Sequence, residues 1–378
     1  MHNLDLIFGA LALLSFALLL WQWIAAGRFP LHQRIADPAF APAITILKPL
    51  KGCDGTTAAS LESWFKQNYS GQVQFLFGVA DPDDPACDVV EALLNKYPHR
   101  DAQLIICPET YGTNGKVSTL TQLEKVTKHE LVLVSDADVR VPEDFLANVV
   151  APLRDQRVGL VNCFYRLANP ANAAMHWEAI GVNADFWSQV LQSQMLKPMD
   201  FALGAVMLTR RHLLGEIGGF KSLANCLADD YQLGHRIAKN GHRITLCPVA
   251  VECWDAPMTW RAAWKHQLRW ARTIRVCQPV PYFFSILSNV TFWPLVWLAI
   301  HPACYLLVLL MVCSRTIIAW HLQRRLARKT PPIGYCWMVP VKDLLQFVTW
   351  LGAFAGNTIE WRGQKMKLSR DGTLSQST

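Results

Sequence analysis

The stretch Leu131-Val-Leu-Val-Ser-Asp136-Ala-Asp138 joins a short apolar run to two acidic residues, and it decides the fold class. A run of this kind predicts a buried strand, and parallel sheets bind ligands beyond the carboxyl ends of their strands. Comparable runs alternate with helical stretches at residues 44–47, 73–79, 104–107, 158–163 and 244–249. We therefore predict an α/β domain with a mostly parallel, Rossmann-like sheet over residues 40–255.

The composition of the 378-residue chain excludes disordered and fibrous proteins. Hydrophobic residues make up 52% and charged residues 17%, so the chain is more apolar than an ordinary soluble domain. The net charge of +7 is moderate, and we expect no nucleic-acid partner. The 11 cysteines show no zinc-type spacing, which predicts that they are reduced and that most of the chain faces the cytosol.

The N-terminus carries a long apolar run. Within residues 6–26 only Gln22 is strongly polar. This length suffices to cross a hydrocarbon layer about 30 Å thick, so we predict a transmembrane anchor at residues 1–27. A cleaved secretory signal is the alternative, but no Lys or Arg precedes the run. Arg28 and Arg34 follow it, and the positive-inside rule then places the N-terminus outside and the following domain in the cytoplasm.

Two further apolar segments lie near the C-terminus. Residues 281–320 have His301-Pro302 near their middle and predict a transmembrane hairpin. Residues 333–356 are interrupted by Lys342-Asp343 and predict either a third span or a re-entrant segment. A third span would leave the basic tail at 357–378 outside, against the positive-inside rule, which favours the re-entrant alternative. The basic tail residues are Arg362, Lys365, Lys367 and Arg370.

Residues 256–280 predict an amphipathic helix that lies in the membrane surface. Its apolar stripe is formed by Trp260, Trp264, Leu268 and Ala271, and the basic residues off that stripe are Arg261, Lys265, Arg269 and Arg272. A pure surface anchor would explain the amphipathicity equally well. It would not require the sequence His266-Gln-Leu-Arg269-Trp270 within the helix.

Acidic residues follow two of the predicted strands. Asp81, Asp136 and Asp138 would therefore point into the ligand crevice. In an extended segment Asp136 and Asp138 would lie on the same side, where they would suit Mg²⁺ or Mn²⁺ held jointly with a diphosphate. Alternatively, they are turn residues at the end of a strand. Asp229-Asp230 precedes a helical stretch, where either acid is a helix cap or a general base.

In chain order, these residues resemble the D, D, D, (Q/R)-x-x-R-W signature of inverting, membrane-bound glycosyltransferases with a GT-A fold. Other stretches resemble landmarks of the ceramide glucosyltransferase family and of its bacterial relatives that glycosylate hopanoid lipids. These stretches are Lys48-Pro49-Leu50-Lys51-Gly52, residues 79–85, Asn114-Gly115-Lys116-Val117, Gly218-Gly219-Phe220 and Trp361-Arg362-Gly363. The chain departs from the signature at His266, where the family has Gln or Arg, so we assign no catalytic role there.

The resemblance implies a role for each matched residue. The donor-binding residues would be Asp81, Lys116, Asp136 and Asp138, and Asp138 would also hold Mg²⁺ or Mn²⁺ against the diphosphate. The catalytic residues would be Asp230 as general base, together with Arg269 and Trp270. Animal ceramide glucosyltransferases resemble D-S-G at the second motif, so the fuller Asp136-Ala-Asp138 of this chain favours metal dependence.

The resemblance also implies a function. The chain would move a hexose from UDP-glucose or UDP-N-acetylglucosamine to the hydroxyl of a membrane lipid, either ceramide or a hopanoid, and form a β-glycolipid. It would sit in a bacterial-type inner membrane with its catalytic domain facing the cytoplasm. The alternatives are a processive polysaccharide synthase, which needs more spans for its channel, a polyisoprenyl-phosphate sugar transferase and a membrane scaffold without activity.

Overall fold

The computed structural model describes residues 2–361, 364–369 and 372–376, and these residues form eleven strands. Eight of the strands form one sheet, in the order β3-β2-β1-β4-β7-β6-β8-β5, and the last three form a small separate sheet. The strands are Ile44–Pro49 (β1), Val73–Val79 (β2), Asp101–Ile106 (β3), Leu131–Ser135 (β4), Val139–Arg140 (β5), Val158–Leu167 (β6), Val206–Arg210 (β7), Arg243–Cys253 (β8), Thr358–Trp361 (β9), Gln364–Leu368 (β10) and Leu374–Gln376 (β11).

The large sheet is mostly parallel. Strands β3, β2, β1 and β4 run parallel to one another, and β6 is parallel to β8. Strand β7 is antiparallel to both of its neighbours, and the short β5 is antiparallel to β8. The fully buried pattern of β1 and β4 is what a parallel strand covered on both faces requires. The predicted α/β fold is confirmed.

Fourteen α-helices occur in the described residues, together with a π-helix at Gly181–Phe186. The α-helices are His2–Arg28 (α1), Thr57–Phe65 (α2), Ala86–Lys96 (α3), Gly115–Glu124 (α4), Phe145–Val150 (α5), Ala173–Ile180 (α6), Trp187–Gln194 (α7), Arg211–Glu216 (α8), Asp229–Lys239 (α9), Trp260–Cys277 (α10), Pro279–Phe284 (α11), Phe292–Ile300 (α12), Tyr305–Ala327 (α13) and Met338–Phe354 (α14).

Helices cover both faces of the sheet and bury one hydrophobic core on each. On one face Phe65 of α2 stacks on Phe75 and Phe77 of β2, with ring centroids 5.0 and 5.7 Å apart. On the other face Val117 of α4 and Leu233 of α9 belong to a second core that also includes residues of α1 and α13. Burying each such side chain contributes about 1.5–3 kcal/mol. The long apolar helices α1 and α13 thus share this second core with the sheet.

Two helices are long and apolar enough to cross a membrane within the described ranges. They span Asn3–Arg28 and Pro302–Ala327. The helical stretches Pro279–Ser288 and Phe292–Ile300 bend by 52° at their break and count as a third candidate if they form one span. The hairpin predicted at 281–320 thus corresponds to this bent pair followed by the longer helix, and its membrane crossing stays a prediction.

The segment predicted as a third span or a re-entrant segment forms α14, which has 17 residues. Lys342 and Asp343, which interrupt its apolar sequence, are buried in a network of charges. Arg315 of α13 donates to Asp343 at 2.8 and 2.9 Å and to Asp185 of the π-helix at 2.9 Å, and Lys342 donates to the same Asp185 carboxylate. Thr291 adds a hydrogen bond of 2.7 Å to Asp343. This network ties α13 and α14 to the sheet domain.

Helix α10 begins after Thr259, whose hydroxyl accepts a hydrogen bond from a main-chain N–H of the first turn. We predicted that this helix lies in the membrane surface, but part of its apolar stripe packs on other helices of the protein. Trp177 of α6 lies against Trp260 and Trp264, with ring centroids 5.9 and 6.1 Å apart, and Ala271 is buried against α11 and α14. The stripe therefore serves at least in part as an intramolecular packing surface.

The basic residues of α10 contact the small C-terminal sheet. Lys265 forms an ion pair of 2.6 Å with Glu360 of β9, and Arg272 donates to the carbonyl of Thr358. The sheet also reaches the sheet domain, because the main-chain N–H of Leu374 donates to Asn225 at 2.7 Å. Of the predicted basic tail, Arg362 and Arg370 lie outside the described residues, as does Gly363 of the Trp-Arg-Gly landmark.

Candidate active site

Cationic and acidic side chains converge at the carboxyl end of the central strands. The ammonium group of Lys116, in the first turn of α4, lies 2.6 Å from Asp136 and 3.5 Å from Asp229. Asp136 directly follows β4, and Asp229 and Asp230 occupy the first turn of α9. We call Lys116, Asp136, Asp138, Asp229 and Asp230 the carboxylate cluster. Desolvation lowers the pKa of Lys116, but Asp136 and Asp229 outweigh it and hold the pKa above its usual value.

Asn114 joins the two helices that supply the cluster. As the N-cap of α4, its side-chain oxygen accepts a hydrogen bond of 3.2 Å from Val117. Its amide donates to the carbonyl of Cys226 at 2.9 Å and to Asp229 at 3.3 Å. Because one buried side chain makes all three contacts, the start of α4 and the start of α9 keep a fixed separation. Lys116 and Asp229 are placed opposite each other as a result.

Asp136 and Asp138 lie in a turn between β4 and β5, so our prediction of an extended segment is wrong. The turn forms because the carbonyl of Asp136 accepts hydrogen bonds from Val139 at 3.4 Å and from Lys48 at 2.7 Å. Lys48 is fully buried at the end of β1, and it also donates to Ser135 at 3.0 Å. The alternative of strand-end turn residues is thus correct for the backbone.

The two carboxylates of the turn still act on each other. Burial, together with the charges of Asp136 and Asp255, raises the pKa of Asp138 to about 7, while Lys48 opposes the shift. Burial in turn lowers the pKa of Lys48 to about 7. The positive charge around Asp138 is therefore too small to keep this buried carboxylate fully ionised near neutral pH. A divalent cation is the kind of ligand that would supply this charge.

The residues fit a cation that is shared with a substrate. No group of three or more metal-ligating side chains occurs within residues 2–361, 364–369 and 372–376. Mg²⁺ is commonly held by one or two carboxylates together with substrate phosphates, and hard carboxylate oxygens also suit Mn²⁺. Asp138, with Asp136 beside it, offers this kind of partial site.

Asp230 is held close to the backbone of a neighbouring loop. The helix cap of α9 is Ala228, so neither Asp229 nor Asp230 caps the helix, and both carboxylates lie in its first turn. A Cβ atom on Gly204 would lie 2.7 Å from the Asp230 carboxylate, and a Cβ atom on Gly234 would lie 2.2 Å from the backbone of Ala202. The two glycines therefore allow α9 to approach this loop closely.

The surroundings of Asp230 change its acidity. Burial, together with the charge of the adjacent Asp229, raises its pKa to about 6, whereas Lys116 and the N–H of Tyr231 oppose the shift. The same N–H donates to Asp230 at 2.8 Å, which fixes the orientation of the carboxylate. A carboxylate with a pKa of about 6 is suited to act as a general base near neutral pH.

Asp81 lies at the same edge of the sheet but outside the contacts that define the carboxylate cluster. It is exposed, two residues after the end of β2, and its carboxylate accepts a hydrogen bond of 3.0 Å from Asp83. Asp84 of the same loop accepts hydrogen bonds of 2.9 Å from the N–H of Gly52. This contact joins the loops after β1 and β2, which keeps Asp81 on the crevice side.

The motif on α10 is organised by a buried acid. Glu178 of α6 accepts hydrogen bonds from Gln267 at 3.1 Å and pairs with the imidazole of His266. The His266 ring lies against Trp270, with centroids 4.5 Å apart. Burial and the charge of Glu178 raise the pKa of nearby Asp255, whereas His266 opposes the shift. His266 therefore lies near Asp255, whose charge also acts on Asp138.

Arg269 lines a cavity of about 190 Å³ between α10 and β9. The contacts that define the carboxylate cluster do not include Arg269 or Trp270. The other residues that line this cavity are Lys265, Leu268, Arg272, Thr358, Ile359 and Glu360. The structure thus brings Lys116, Asp136, Asp138 and Asp230 together, whereas Asp81 is exposed in the loop after β2 and Arg269 lines the cavity beside β9.

The contacts of three residues that organise this site were not predicted from the sequence. Lys48 was noted only as part of a landmark, although a Lys in an otherwise apolar strand is a signal of a buried cation. For Asp229 the sequence offered a helix cap or a general base, but not the ion pair with Lys116. Glu178 lies in an apolar stretch, Met175-His-Trp-Glu-Ala-Ile180, and an isolated acid there signals a buried partner.

The fold resembles that of a solved sugar transferase. The mannosyltransferase PcManGT from Pyrobaculum calidifontis, solved with GDP-Man and Mn²⁺, superimposes with a TM-score of 0.59. The superposition covers 93% of this chain and 98% of that one, at 20% sequence identity. At this identity the similarity supports the fold alone, which is of the GT-A type.

Sequence relatives of the chain are also sugar transferases. Ceramide glucosyltransferase 3 of Caenorhabditis elegans is 26% identical over 223 residues, which is 58% of this chain and 48% of the relative. The ceramide glucosyltransferase of Candida albicans is 34% identical over 128 residues, or 31% of this chain and 24% of the relative. The chain therefore spans about half or less of the length of these relatives. The sequence profile of glycosyl transferase family 21 matches residues 7–374, and the chain belongs to that family.

Proposed function

We propose that this protein transfers a hexose from a UDP-sugar to the hydroxyl of a membrane lipid and forms a β-glycolipid. The observation that carries the proposal is the carboxylate cluster at the carboxyl end of a parallel sheet whose core also contains the apolar helices α1 and α13. A water-soluble donor and a bilayer-bound acceptor can meet only where a polar crevice lies next to the membrane. The ceramide glucosyltransferase relatives support a lipid acceptor.

The proposed donor side of the crevice is formed by the loops after β1, β2 and β4. Asp81 would contact the nucleoside, and Lys116 with Asp136 would contact the ribose and the sugar. Asp138 would hold Mg²⁺ or Mn²⁺ against the diphosphate, and the cation would neutralise charge that develops on the leaving UDP. Lys48 would keep the turn that presents Asp136 and Asp138 in place, because it donates to the Asp136 carbonyl.

Asp230 would act as the general base. Its carboxylate would take the proton of the lipid hydroxyl while the hydroxyl oxygen attacks the anomeric carbon from the face opposite to UDP. The new C–O bond forms as the bond between the anomeric carbon and the diphosphate oxygen breaks, so the configuration inverts. Arg269 and Trp270 would complete the site once substrate is bound, with Arg269 stabilising negative charge on the leaving group.

The acceptor and the location are the less specific parts of the proposal. Ceramide is the proposed acceptor class, and a hopanoid alcohol is the alternative. The catalytic domain would face the cytoplasm of a bacterial-type inner membrane, because Arg28 and Arg34 directly follow the first candidate span. With two or at most three candidate spans in the described residues, a polymer channel of the processive-synthase type has little support.

A labelling experiment tests the proposal. Membranes that contain the full chain are incubated in parallel with radiolabelled UDP-glucose and UDP-N-acetylglucosamine, with Mn²⁺ or with EDTA, and the labelled lipid is identified by mass spectrometry. We expect a metal-dependent, β-linked glycolipid from the wild type and none from Asp230→Asn. Asp101→Asn is a matched control, because Asp101 is exposed at the start of β3 and forms its ion pair with the exposed Lys128. Labelled polymer or free UDP without glycolipid would contradict the proposal.

A further inference from the structure

A basic cleft lies where the first candidate span meets the sheet domain. It has a volume of about 770 Å³ and is formed by the C-terminal end of α13 and the segment that follows α1. Its lining residues are Pro30, Leu31, His32, Gln33, His321, Arg324, Arg325 and Arg328. The lining thus combines three arginines and two histidines with no acidic residue.

The positive charge of the cleft is not neutralised from within. Among the described residues, none of Arg324, Arg325 and Arg328 forms an ion pair with a carboxylate. Arg325 donates to the carbonyls of Gly27 and Phe29 at 3.1 and 2.8 Å, and its Nε atom is buried without a hydrogen-bond partner in the described residues. A buried guanidinium N–H without a partner is costly, so the cleft is suited to an anion.

The left-handed backbone at His32 places its imidazole near the charges of Arg328 and Arg34. His32 adopts a left-handed conformation with φ of 66°, and its Nε2 atom lies 3.1 Å from the carbonyl of Arg325. Burial lowers the pKa of His32, and the charges of Arg328 and Arg34 lower it further. The part of the shift that comes from Arg328 and Arg34 reflects the positive charge near the cleft, whereas the larger part is due to burial and is partly offset by the hydrogen bond to the Arg325 carbonyl.

The cleft lies at the level where lipid headgroups would lie. The candidate spans Asn3–Arg28 and Pro302–Ala327 both end at it. Trp23, half exposed one turn before the end of the first span, donates a hydrogen bond of 3.1 Å to His321, and tryptophan is enriched at this depth of a bilayer. Ile24 and Ile317 beside it are at least half exposed, so apolar surface that acyl chains would cover adjoins the cationic lining.

We propose that this cleft binds the phosphate headgroup of an anionic phospholipid, at a site separate from the carboxylate cluster. The three arginines would donate to the phosphate oxygens, and the acyl chains would lie along α1 and α13. An inorganic phosphate ion offers the same oxygens but not the chains, so the adjoining apolar surface favours the lipid. Basic pockets between membrane helices are a known mode of headgroup recognition.

Lipid titration tests this site on the purified full-length protein in detergent. Phosphatidylglycerol, phosphatidylcholine and inorganic phosphate are titrated separately, and the thermal midpoint and the lipid that copurifies are measured. The test variant is Arg324→Gln with Arg328→Gln, both exposed in the cleft. The matched control is Lys96→Gln with Lys239→Gln, which removes the same charge from exposed positions on α3 and α9.

We expect phosphatidylglycerol alone to raise the thermal midpoint of the wild type. Each cation near a headgroup contributes about 1 kcal/mol, so the concentration for half effect should increase about tenfold or more in the cleft variant and stay unchanged in the control. The proposal is overturned if phosphatidylcholine or inorganic phosphate acts as strongly as phosphatidylglycerol. It is also overturned if the wild type does not respond, or if the cleft variant responds like the wild type.

Discussion

The side chain of Lys48 donates a hydrogen bond of 2.7 Å to the main-chain carbonyl of Asp136, across 88 residues of sequence. The contact links the end of β1 to the turn that carries Asp136 and Asp138. Because the ammonium group is fully buried and also lies 4.2 Å from the ring centroid of Trp64, it has little freedom to move. Lys48 therefore controls the shape of the turn without being one of the proposed donor ligands.

Replacing Lys48 tests this control. We expect Lys48→Met to reduce kcat/KM by about tenfold to a hundredfold, since a displacement of about 1 Å in a catalytic constellation has that effect. Sugar transfer and the concentration dependence on Mn²⁺ are measured together. The matched control, Lys239→Met, removes an exposed cation at the C-terminal end of α9 and should leave both unchanged. Wild-type Mn²⁺ dependence and activity in Lys48→Met would contradict the assignment.

The raised pKa of Asp230 predicts a pH dependence of the reaction. A general base must be ionised, so the rate of the wild type should fall as pH decreases through about 6. The measurement is kcat/KM between pH 5 and pH 8, from about one pH unit below that pKa to about two above it, because kcat/KM reports the pKa of the enzyme without bound substrate. A rate that is constant across this interval would contradict the role of Asp230.

The same pKa predicts that Asp230→Asn, which should lose activity, gains stability. A carboxyl whose pKa is raised on folding destabilises the fold when it is ionised, because the folded state binds the proton more tightly than the unfolded state. The destabilisation is absent below the unfolded pKa of 3.8 and develops as pH rises to about 6. Asp230→Asn should therefore be more stable than the wild type at pH 8, by on the order of 1 kcal/mol, and equal to it near pH 4. Thermal unfolding at the two pH values measures this, and lower stability of the variant at pH 8 would contradict it.

Gly204 gives the Asp230 carboxylate the space that it occupies. A methyl group at Gly204 would lie 2.7 Å from the carboxylate, so the short Asp230 side chain must turn away. We expect Gly204→Ala to fold normally and to lose activity by about tenfold to a hundredfold. Gly215→Ala on α8 is the matched control, since nothing lies within 4 Å of its Cβ position. An active Gly204→Ala variant would show that the position of Asp230 is not critical.

His266 depends on Glu178 for its orientation. His266→Gln restores a residue that the signature contains and keeps a group able to donate to Glu178, so we expect activity within a few-fold of the wild type. His266→Ala leaves the buried Glu178 with Gln267 alone and should reduce kcat about tenfold or more. His99→Ala, at an exposed position, controls for loss of an imidazole. Equal activity of His266→Ala and the wild type would exclude a positioning role.

Arg315 is the centre of the network that joins α13 and α14 to the π-helix. Arg315→Met would leave two buried carboxylates, Asp185 and Asp343, with Lys342 alone, and loss of one partner of a buried pair costs about 3–5 kcal/mol. We expect a large decrease of the thermal midpoint in detergent. Lys329→Met, exposed shortly after α13, should have no effect. A midpoint close to that of the wild type would show that the network contributes little to stability.

Part of this architecture could be predicted because its signals are local. The period and length of apolar runs predicted six of the eight strands of the large sheet, though not β5 and β7, and the helix at Asn3–Arg28. The acids at strand ends marked the side of the sheet on which the cluster lies. The shape of the turn at residues 136–138 could not be predicted in this way. It depends on a hydrogen bond from Lys48, which lies on a neighbouring strand.

The fold class, the candidate spans and the types of acidic residue at the site could therefore be predicted without the structure. Each of these depends on hydropathy, periodicity or residue type within a short window of the chain. Only the tertiary structure decided which charges meet: Lys116 with Asp229, Glu178 with His266, and Arg315 with Asp185, which is 130 residues away. The physical reason is that a buried charge requires a partner but does not specify where in the sequence that partner lies.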